Sequence, residues 1–352
     1  MISVKSANAF PNSIGQRTSI GLQIAIFCAI GLSFVGCRRD TADSTAAGDQ
    51  SRDRVVLMLN WFPEAEHGGF FAAQVHGIFE RHGLDVTIQP GGPNAPVAQE
   101  LLTGRVQFAI GNADDVLLFR EQDAPVIALL APIQNTPRCI LVREESGISS
   151  LKELGNVRLQ ANAGRPFLDF MRQQGLLEGV QVVPYPGTVA NFVADNNTAI
   201  QAYSFSEPLL AEQQGVKVRK LMLSDVGFNP YASCLIATED YVAANSDLTE
   251  RMVQACREGW IQYLQDPQLT NEAILAENKQ GMSIAALEFG AQDLKGLCLS
   301  EEKPVAELGK MSDERWSELI RQFESLKLLT VGKVNAGQVF SNRYSDGPTV
   351  AN

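Results

Sequence analysis

The sequence predicts an α/β protein of two lobes, each a mostly parallel sheet flanked by helices, with a helical C-terminal portion. Short apolar runs alternate with segments of helical periodicity from residue 55 to residue 223, as is typical of sheets covered by helices. The alternation breaks after residue 130 and then begins again. After residue 238 the pattern is almost entirely helical. A chain of 352 residues is long enough for two lobes.

The first βα series occupies residues 55–130. Strands are predicted at residues 55–59, 86–88, 106–110 and 126–130, and helices at residues 71–79, 95–102 and 114–121. Such a βαβ order is expected to build a parallel sheet with helices packed on it.

The second series begins at residue 151. Strands are predicted at residues 157–159, 180–183, 199–203 and 218–223, and helices at residues 151–154, 166–173, 189–195 and 207–214. An apolar run at residues 233–237 and helices at residues 248–264 and 313–326 follow. Two series of similar size predict two lobes with a cleft between them.

The N-terminus predicts export and lipid attachment. Cys37 ends a short apolar stretch at residues 20–35, which Gln23 and Gly31 interrupt. A signal peptide fits this length better than a spanning helix, although a plain anchor helix is the alternative. The preceding residues resemble the bacterial lipobox, with Phe34 where Leu or Val is usual. We therefore expect a signal peptide over residues 1–37, acylation at Cys37 and a flexible tether over residues 38–54.

Composition disfavours several partner classes. The formal net charge of -11 argues against nucleic acid or an anionic membrane surface as the partner. Four further cysteines of the globular part are isolated and lack zinc-ligand spacing, so buried free thiols and disulfides both stay open: Cys139, Cys234, Cys256 and Cys298. No metal or cofactor is expected.

Candidate binding residues follow the predicted strands, at the edge where open α/β sheets bind ligands. Asn60 and Trp61 come directly after the first strand, and His67 stands at a helix start. The Trp61 indole can stack on a flat ligand, and the His67 imidazole can hydrogen-bond to it. The alternatives are that Trp61 is buried in the core and that His67 only caps the helix.

Three later turns carry polar side chains at strand ends. Asn112 and Asn162 lie between a strand and a helix, and Glu207 lies in the first turn of a helix. Helix N-termini favour polar or anionic side chains. The alternative is therefore that the two asparagines only form turns and that Glu207 only interacts with the helix dipole. Neither a P-loop nor a GxGxxG motif is present, and three histidines without triad or zinc-ligand spacing make catalysis improbable.

Several segments together resemble the SsuA/THI5-like family. They are residues 58–63 with His67, residues 77–86, residues 100–108, the Ser206-Glu207-Pro208 triplet and residues 239–260. The family includes periplasmic binding proteins of ABC importers for thiamine pyrimidine precursors, sulfonates and nitrate. The resemblance covers most of residues 55–266.

This resemblance implies the type II periplasmic binding protein fold, in which two lobes close around a ligand. The crossings are expected near residues 138–142 and 233–238. Lobe 1 would then comprise residues 55–137 and 238–330, and lobe 2 residues 138–237. Residues 331–352 are predicted to be a disordered tail.

The resemblance also implies a ligand site. In pyrimidine-binding members a tryptophan after the first strand stacks on the ring and a glutamate of the second lobe hydrogen-bonds the aminopyrimidine, and Trp61 and Glu207 occupy those positions. The complete predicted set is Asn60, Trp61, His67, Asn112, Asp115, Asn162, Glu207 and Tyr231.

The resemblance leaves alternatives for function. The favoured ligand is a thiamine-related pyrimidine, followed by riboflavin and then by sulfonate, taurine or nitrate. Fungal members are pyrimidine synthases, but their pyridoxal-phosphate lysine and sacrificial histidine correspond to Gly111 and Asp115 here, which makes synthase activity improbable. The implied partners are an ABC permease with its ATPase and the membrane through lipid on Cys37, with the protein itself a monomer.

Overall fold

The computed structural model describes residues 52–93, 95–301 and 304–345. The predicted signal peptide and Cys37 lie outside the described residues, as does nearly all of the predicted tether. Among the helices that are described, none is long and apolar enough to cross a membrane.

The described residues form ten strands and thirteen helices. The strands are β1 (Asp53–Met58), β2 (Leu84–Gln89), β3 (Phe108–Gly111), β4 (Val126–Leu130), β5 (Arg138–Arg143), β6 (Arg158–Ala161), β7 (Gln181–Pro184), β8 (Thr198–Tyr203), β9 (Val218–Met222) and β10 (Cys234–Thr238). The helices are α1 (Gly68–Val75), α2 (Ile78–Arg81), α3 (Val97–Leu102), α4 (Ala113–Glu121), α5 (Pro166–Gln173), α6 (Ala190–Ala194), α7 (Glu207–Gln213), α8 (Glu239–Ala244), α9 (Ser246–Gln265), α10 (Gln268–Glu277), α11 (Ile284–Cys298), α12 (Asp313–Ser325) and α13 (Ala336–Val339).

Two five-stranded sheets confirm the α/β class. The first sheet has the order β2-β1-β3-β10-β4 and the second the order β7-β6-β8-β5-β9. β10 runs antiparallel to both of its neighbours, and so does β5. Each sheet is therefore mixed, because these two strands enter from the other sheet through short connections that lack the crossover helix a parallel neighbour requires.

The chain passes between the two sheets at residues 131–137 and 227–233, immediately before β5 and β10. The sequence placed these crossings on the strands themselves. The four remaining strands of each sheet share one direction, so their carboxyl ends lie at a common edge. β5 and β10 begin at that edge, where Arg138 pairs with Tyr203 and Cys234 with Gly111. The lobe boundaries predicted from the sequence stay a prediction.

Two large apolar clusters hold the described part together. One cluster continues from the first sheet into the second, and in it Phe170 packs against Phe228 at 5.3 Å between ring centroids. The other cluster covers the first sheet with α1, α9 and α11, and it includes the fully buried Trp260 and Tyr263. The four cysteines of the globular part are buried free thiols.

The C-terminal segment differs from the sequence-based expectation. Residues 331–345 were expected to be disordered, but Val339 is fully buried, Phe340 forms a β-bridge with Ala128 and its ring stacks on Trp316. The apolar residues are too widely spaced among Gly, Asn and Ser to show a helix or strand period, so only their tertiary contacts reveal the order. The predicted helix at residues 151–154 is likewise a short 3-10 turn, Leu151–Glu153.

Candidate functional site

The loop after β1 carries a part-exposed aromatic side chain of the candidate site. Trp61 is half-buried and packs edge-on against Phe62, with 5.3 Å between ring centroids. Its carbonyl oxygen accepts the Gly91 N–H at 3.0 Å, and its side chain hydrogen-bonds to Glu64. The indole is therefore oriented by its neighbours while part of its surface remains free to meet a ligand.

His67 and Asn60 connect the two ends of this loop. The His67 ring has no exposed surface, and its Nε2 lies 3.1 Å from Asn60 Oδ1. Burial lowers the pKa of His67 to about 3, so the imidazole is neutral. These contacts favour a role in shaping the loop, while ligand contact by either residue stays a prediction.

Two carboxyl groups of the same loop were missed by the sequence reasoning. Glu66 is 7% exposed, and burial raises its pKa to about 8, with Arg138 opposing the shift and Glu207 adding to it. Burial also raises the pKa of Glu64 well above its usual range, with Glu66 and Glu207 adding to the effect. The sequence signal that could have identified them is the pair of acidic residues directly after the first strand, at the edge where such sheets bind ligands.

The loop after β3 is tied to the second crossing. The Asn112 N–H donates to Asp115 Oδ2 at 3.0 Å, and Asn112 Oδ1 accepts the Ser233 N–H at 3.1 Å. Asp115 also lies 3.8 Å from Arg165 Nη1. Burial and then Asp115 raise the pKa of Asp114 to about 6. Asn112 and Asp115 thus have structural partners, and their contact with ligand stays a prediction.

Glu207 stands opposite the β1 loop, on the second sheet's side. Its carboxylate accepts the Tyr203 N–H at 2.8 Å and the Tyr185 hydroxyl at 3.2 Å. Burial raises its pKa, while those two hydrogen bonds oppose the shift. Asn162 lies on the neighbouring strand end, where its N–H donates to Gln201 Oε1 at 2.8 Å. Glu207 lies close enough to Glu64 to raise the pKa of Glu64.

Arg138 is a second feature that sequence reasoning did not identify. Its guanidinium lies between the rings of Phe167 and Tyr203, at 4.9 and 5.0 Å from their centroids, and Nη2 donates to the Tyr203 hydroxyl at 3.0 Å. Such a cation between two rings is stabilised by their quadrupoles. Arg138 is the positive charge that faces Glu66 and Asp114.

Tyr231 is covered by neighbouring side chains, and its contact with ligand stays a prediction. Its side chain is 2% exposed, its hydroxyl accepts the Ser312 N–H at 3.0 Å, and the Arg315 guanidinium covers its ring at 3.9 Å. These two contacts hold the second crossing, residues 227–233, against α12. Tyr231 also borders a crevice, shared with Asn112 and Arg138, that is too narrow to admit a water molecule.

The sequence profile of the family described as "NMT1/THI5 like" matches residues 64–270. The chain belongs to the NMT1/THI5-like family. The match contains Glu64, Glu66, Arg138 and Glu207, and it begins just after Trp61.

Two curated relatives match this family member over most of its length. The formylaminopyrimidine-binding protein of Halalkalibacterium halodurans is 23% identical over 286 residues, which cover 79% of this chain and 86% of the relative. The riboflavin-binding protein RibY of Chloroflexus aurantiacus is 23% identical over 325 residues, which cover 87% of this chain and 90% of the relative.

Solved structures show the same fold. The periplasmic nitrate-binding protein NrtA of Synechocystis PCC 6803 superimposes with a TM-score of 0.64 at 12% identity, covering 84% of this chain and 87% of that one. The periplasmic aliphatic sulphonate binding protein SsuA of Escherichia coli gives 0.61 at 16% identity, covering 82% and 92%. The fold is therefore that of periplasmic binding proteins.

The pyrimidine phosphate synthases of Saccharomyces cerevisiae match a smaller part. The synthase THI5 is 28% identical over 100 residues, which cover 28% of this chain and 29% of the synthase. The relatives that match over most of the chain are binding proteins, not enzymes.

Proposed function

We propose that this protein is the extracytoplasmic solute-binding component of an ABC importer and that it captures a small planar nitrogen heterocycle. The favoured ligand is a thiamine-related pyrimidine. One observation carries the proposal: Glu207, a buried carboxyl group of raised pKa, lies close enough to Glu64 to raise the pKa of Glu64, and Glu64 follows the part-exposed indole of Trp61 in the β1 loop. The indole can stack on a ring, and the carboxyl can accept from an exocyclic amine or, when protonated, donate to a ring nitrogen.

The comparisons support this ligand class. Relatives named for formylaminopyrimidine and riboflavin both bind flat nitrogen heterocycles, and riboflavin is the second candidate because a flavin would stack on Trp61 equally well. The electrostatics disfavour sulfonate, taurine and nitrate. Glu66 and Glu207 raise the pKa of Glu64, and Glu207 raises the pKa of Glu66, so a bound anion would be repelled by the same carboxylates.

The synthase alternative has little structural support. A Cβ at Gly111, the position of the synthase lysine, would lie 3.0 Å from Ile236 Cδ1, so a longer side chain would require the Ile236 side chain to shift. Asp115, at the position of the sacrificial histidine, caps α4 through Asn112.

The direct test is calorimetry on the purified mature chain. We expect binding of 4-amino-5-hydroxymethyl-2-methylpyrimidine, formylaminopyrimidine or riboflavin, and no binding of taurine, an alkanesulfonate or nitrate. Mass spectrometry of the small molecules released by denaturing the protein identifies the bound solute without any prior choice of candidate ligands. Binding of a sulfonate or nitrate with no heterocycle bound would contradict the ligand class, and absence of any bound solute would contradict the solute-binding role.

Attachment to the membrane is proposed through Cys37. One acyl chain gives only marginal binding to a bilayer, so more than one chain is expected on the mature N-terminus. The Cys37→Ala variant should lose both the processed mass and the membrane fraction, whereas a Cys28→Ala control, changed inside the apolar stretch, should keep both. If the Cys37→Ala protein stays in the membrane with an unchanged mass, the lipoprotein assignment is wrong.

A further inference from the structure

Glu66 carries a buried carboxyl group without a hydrogen-bond partner. The residue lies in the 3-10 turn Ala65–His67 and is 7% exposed. Among the described residues, no donor lies within hydrogen-bond distance of its carboxyl oxygens: the nearest, His67 Nε2, is 3.6 Å away and is engaged with Asn60. The side chain keeps 10% of its surface exposed, so the carboxyl group is mostly buried and can still hydrogen-bond to a bound molecule.

The main chain of Glu66 is nevertheless held firmly. Its carbonyl oxygen accepts the Ser233 hydroxyl at 2.6 Å, and Ser233 precedes the strand that returns to the first sheet. Helix α11 also packs closely against this turn, since a Cβ on Gly290 of α11 would meet Ala65 Cβ at 2.7 Å. The unpaired carboxyl is therefore positioned by its surroundings.

The charged and titratable groups that face Glu66 come mainly from the second sheet. They are Arg138 at the start of β5, Tyr203 at the end of β8 and Glu207 at the start of α7, together with Glu64 and His67 of its own loop. Glu66 therefore lies close enough to Glu207, which the proposed function already assigns to the ligand site, for Glu207 to raise its pKa.

We propose that Glu66 is a further specificity-determining residue, whose neutral carboxyl donates its O–H to an unprotonated ring nitrogen or carbonyl oxygen of the ligand and accepts an adjacent ligand N–H. This inference rests on the proposed solute-binding function and narrows its ligand class. The ligand is an uncharged ring that presents a donor and an acceptor on neighbouring atoms, as in an amide or an amidine.

Burial of Glu66 keeps this proton in place near neutral pH, because the pKa is raised to about 8. Above that value the carboxylate has no proton to donate and repels the lone pair of the ligand's acceptor. Binding to the protonated form alone implies about tenfold weaker affinity at pH 9 than at pH 7. It also implies that the complex takes up close to one proton per ligand at pH 9.

The experiment is calorimetric titration with riboflavin and with 4-amino-5-hydroxymethyl-2-methylpyrimidine at several pH values from 6 to 9. Each titration is repeated in two buffers of different ionisation enthalpy, which yields the number of protons taken up. Wild type is compared with Glu66→Gln, whose amide keeps a donor and an acceptor but cannot ionise. Glu250→Gln, on the exposed face of α9, is the matched control.

We expect wild type and Glu250→Gln to lose affinity above pH 8 with proton uptake, and Glu66→Gln to bind with affinity independent of pH beyond the ligand's own titration. A pH profile that Glu66→Gln shares with wild type would overturn the inference and leave solute binding intact. Absence of proton uptake by wild type at pH 9 would overturn it without any variant. If wild type binds neither probe nor formylaminopyrimidine at any pH, the proposed ligand class fails, and this inference with it.

Discussion

The Trp61 side chain is oriented by its neighbours, and part of its surface is still exposed to a ligand. Its carbonyl is bonded to Gly91, its ring meets the edge of Phe62 and its side chain hydrogen-bonds to Glu64. These contacts reduce the conformational freedom that a free indole would lose on binding, so more of the stacking energy is retained as affinity.

Replacing Trp61 with alanine is expected to weaken ligand affinity by about 1–3 kcal/mol, or roughly tenfold to a hundredfold, because stacking and apolar contact are lost. Trp61→Phe should recover much of that affinity, since it keeps a flat ring. Titration of both variants against the solute identified by mass spectrometry provides the measurement. Equal affinity for wild type and Trp61→Ala would place the indole outside the site.

Two buried groups of the same loop should make folding stability depend on pH. The pKa of Glu66 rises from 4.5 to about 8 on folding, so its contribution is complete below pH 4.5 and is lost as the pH rises to about 8. The pKa of His67 falls from 6.5 to about 3, so its contribution is complete above pH 6.5 and is lost as the pH falls to about 3. Between pH 4.5 and 6.5 the two slopes oppose each other.

Above pH 6.5 only the Glu66 slope of this pair remains. The free energy of unfolding should therefore fall by about 2 kcal/mol between pH 6.5 and pH 8 through Glu66. Denaturant unfolding at both pH values, in wild type and Glu66→Gln, measures the difference. The Glu66→Gln protein should lose this part of the slope while Glu250→Gln keeps it; identical slopes in all three proteins would mean that Glu66 does not hold its proton in the folded state.

Sequence reasoning located Trp61 and Glu207 at strand ends because that placement depends only on local periodicity and on the resemblance. It could not identify Glu66 or Arg138. Glu66 becomes a buried, unpaired carboxyl only when Ser233 and α11 close over its loop, and Arg138 becomes the facing charge only when β5 pairs with β8. The covering of the Tyr231 ring could not be predicted either, since Arg315 of α12 comes from a distant part of the chain.

At the scale of elements, the close packing of α1 against α9 positions the binding loop. A Cβ on Gly69 would lie 2.1 Å from the Trp260 ring, and a Cβ on Gly259 would lie 2.2 Å from the Gly69 carbonyl oxygen. Only glycine allows the two helices to approach so closely. Because α1 begins directly after His67, this contact fixes where the loop after β1 ends.

Gly259→Ala should therefore destabilise the protein by about 1–3 kcal/mol, the usual cost of overpacking a close contact. Gly296→Ala on α11 is the control, since a Cβ there meets nothing within 4 Å and alanine favours a helix by about 0.5–1 kcal/mol. Chemical denaturation of both variants gives the comparison. A Gly259→Ala protein as stable as Gly296→Ala would show that α9 can shift away freely.

Helices and parallel strands could be predicted because their periods are local; α5, for example, has the predicted bounds Pro166–Gln173. The direction of β5 and β10 could not be predicted, because it depends on which sheet each strand joins. The packing of residues 331–345 also depends on distant partners, such as the bridge between Phe340 and Ala128.

At the scale of the whole molecule, the two crossings between the sheets are joined to each other. The Thr136 N–H donates to Asn229 Oδ1 at 2.8 Å, and Arg315 of α12 donates to the carbonyl oxygens of Gln134 at 2.5 Å and Asn229 at 2.9 Å. These bonds join the two crossings to each other and to α12. A hinge there would rotate one sheet against the other while each core stays intact.

Polar contacts away from the two crossings link α11 to the second sheet. Asp293 of α11 accepts the Ser204 hydroxyl at 2.5 Å and Lys220 Nζ at 2.9 Å. Opening would break these bonds, whereas a ligand held between Trp61 and Glu207 would add to them. The relative population of open and closed forms then depends on how much better the ligand binds the closed one.

The last prediction concerns this closure. Saturating ligand should decrease the radius of gyration of wild type measured by solution scattering, because the ligand bridges Trp61 and Asn112 on one side and Glu207 on the other. Glu207→Gln keeps the shape of the side chain and changes its hydrogen-bonding pattern, so it should weaken affinity and closure together. A wild-type radius that ligand leaves unchanged would rule out hinge closure. Full affinity and full closure in Glu207→Gln would instead remove the aminopyrimidine assignment, while membership of the family would stand.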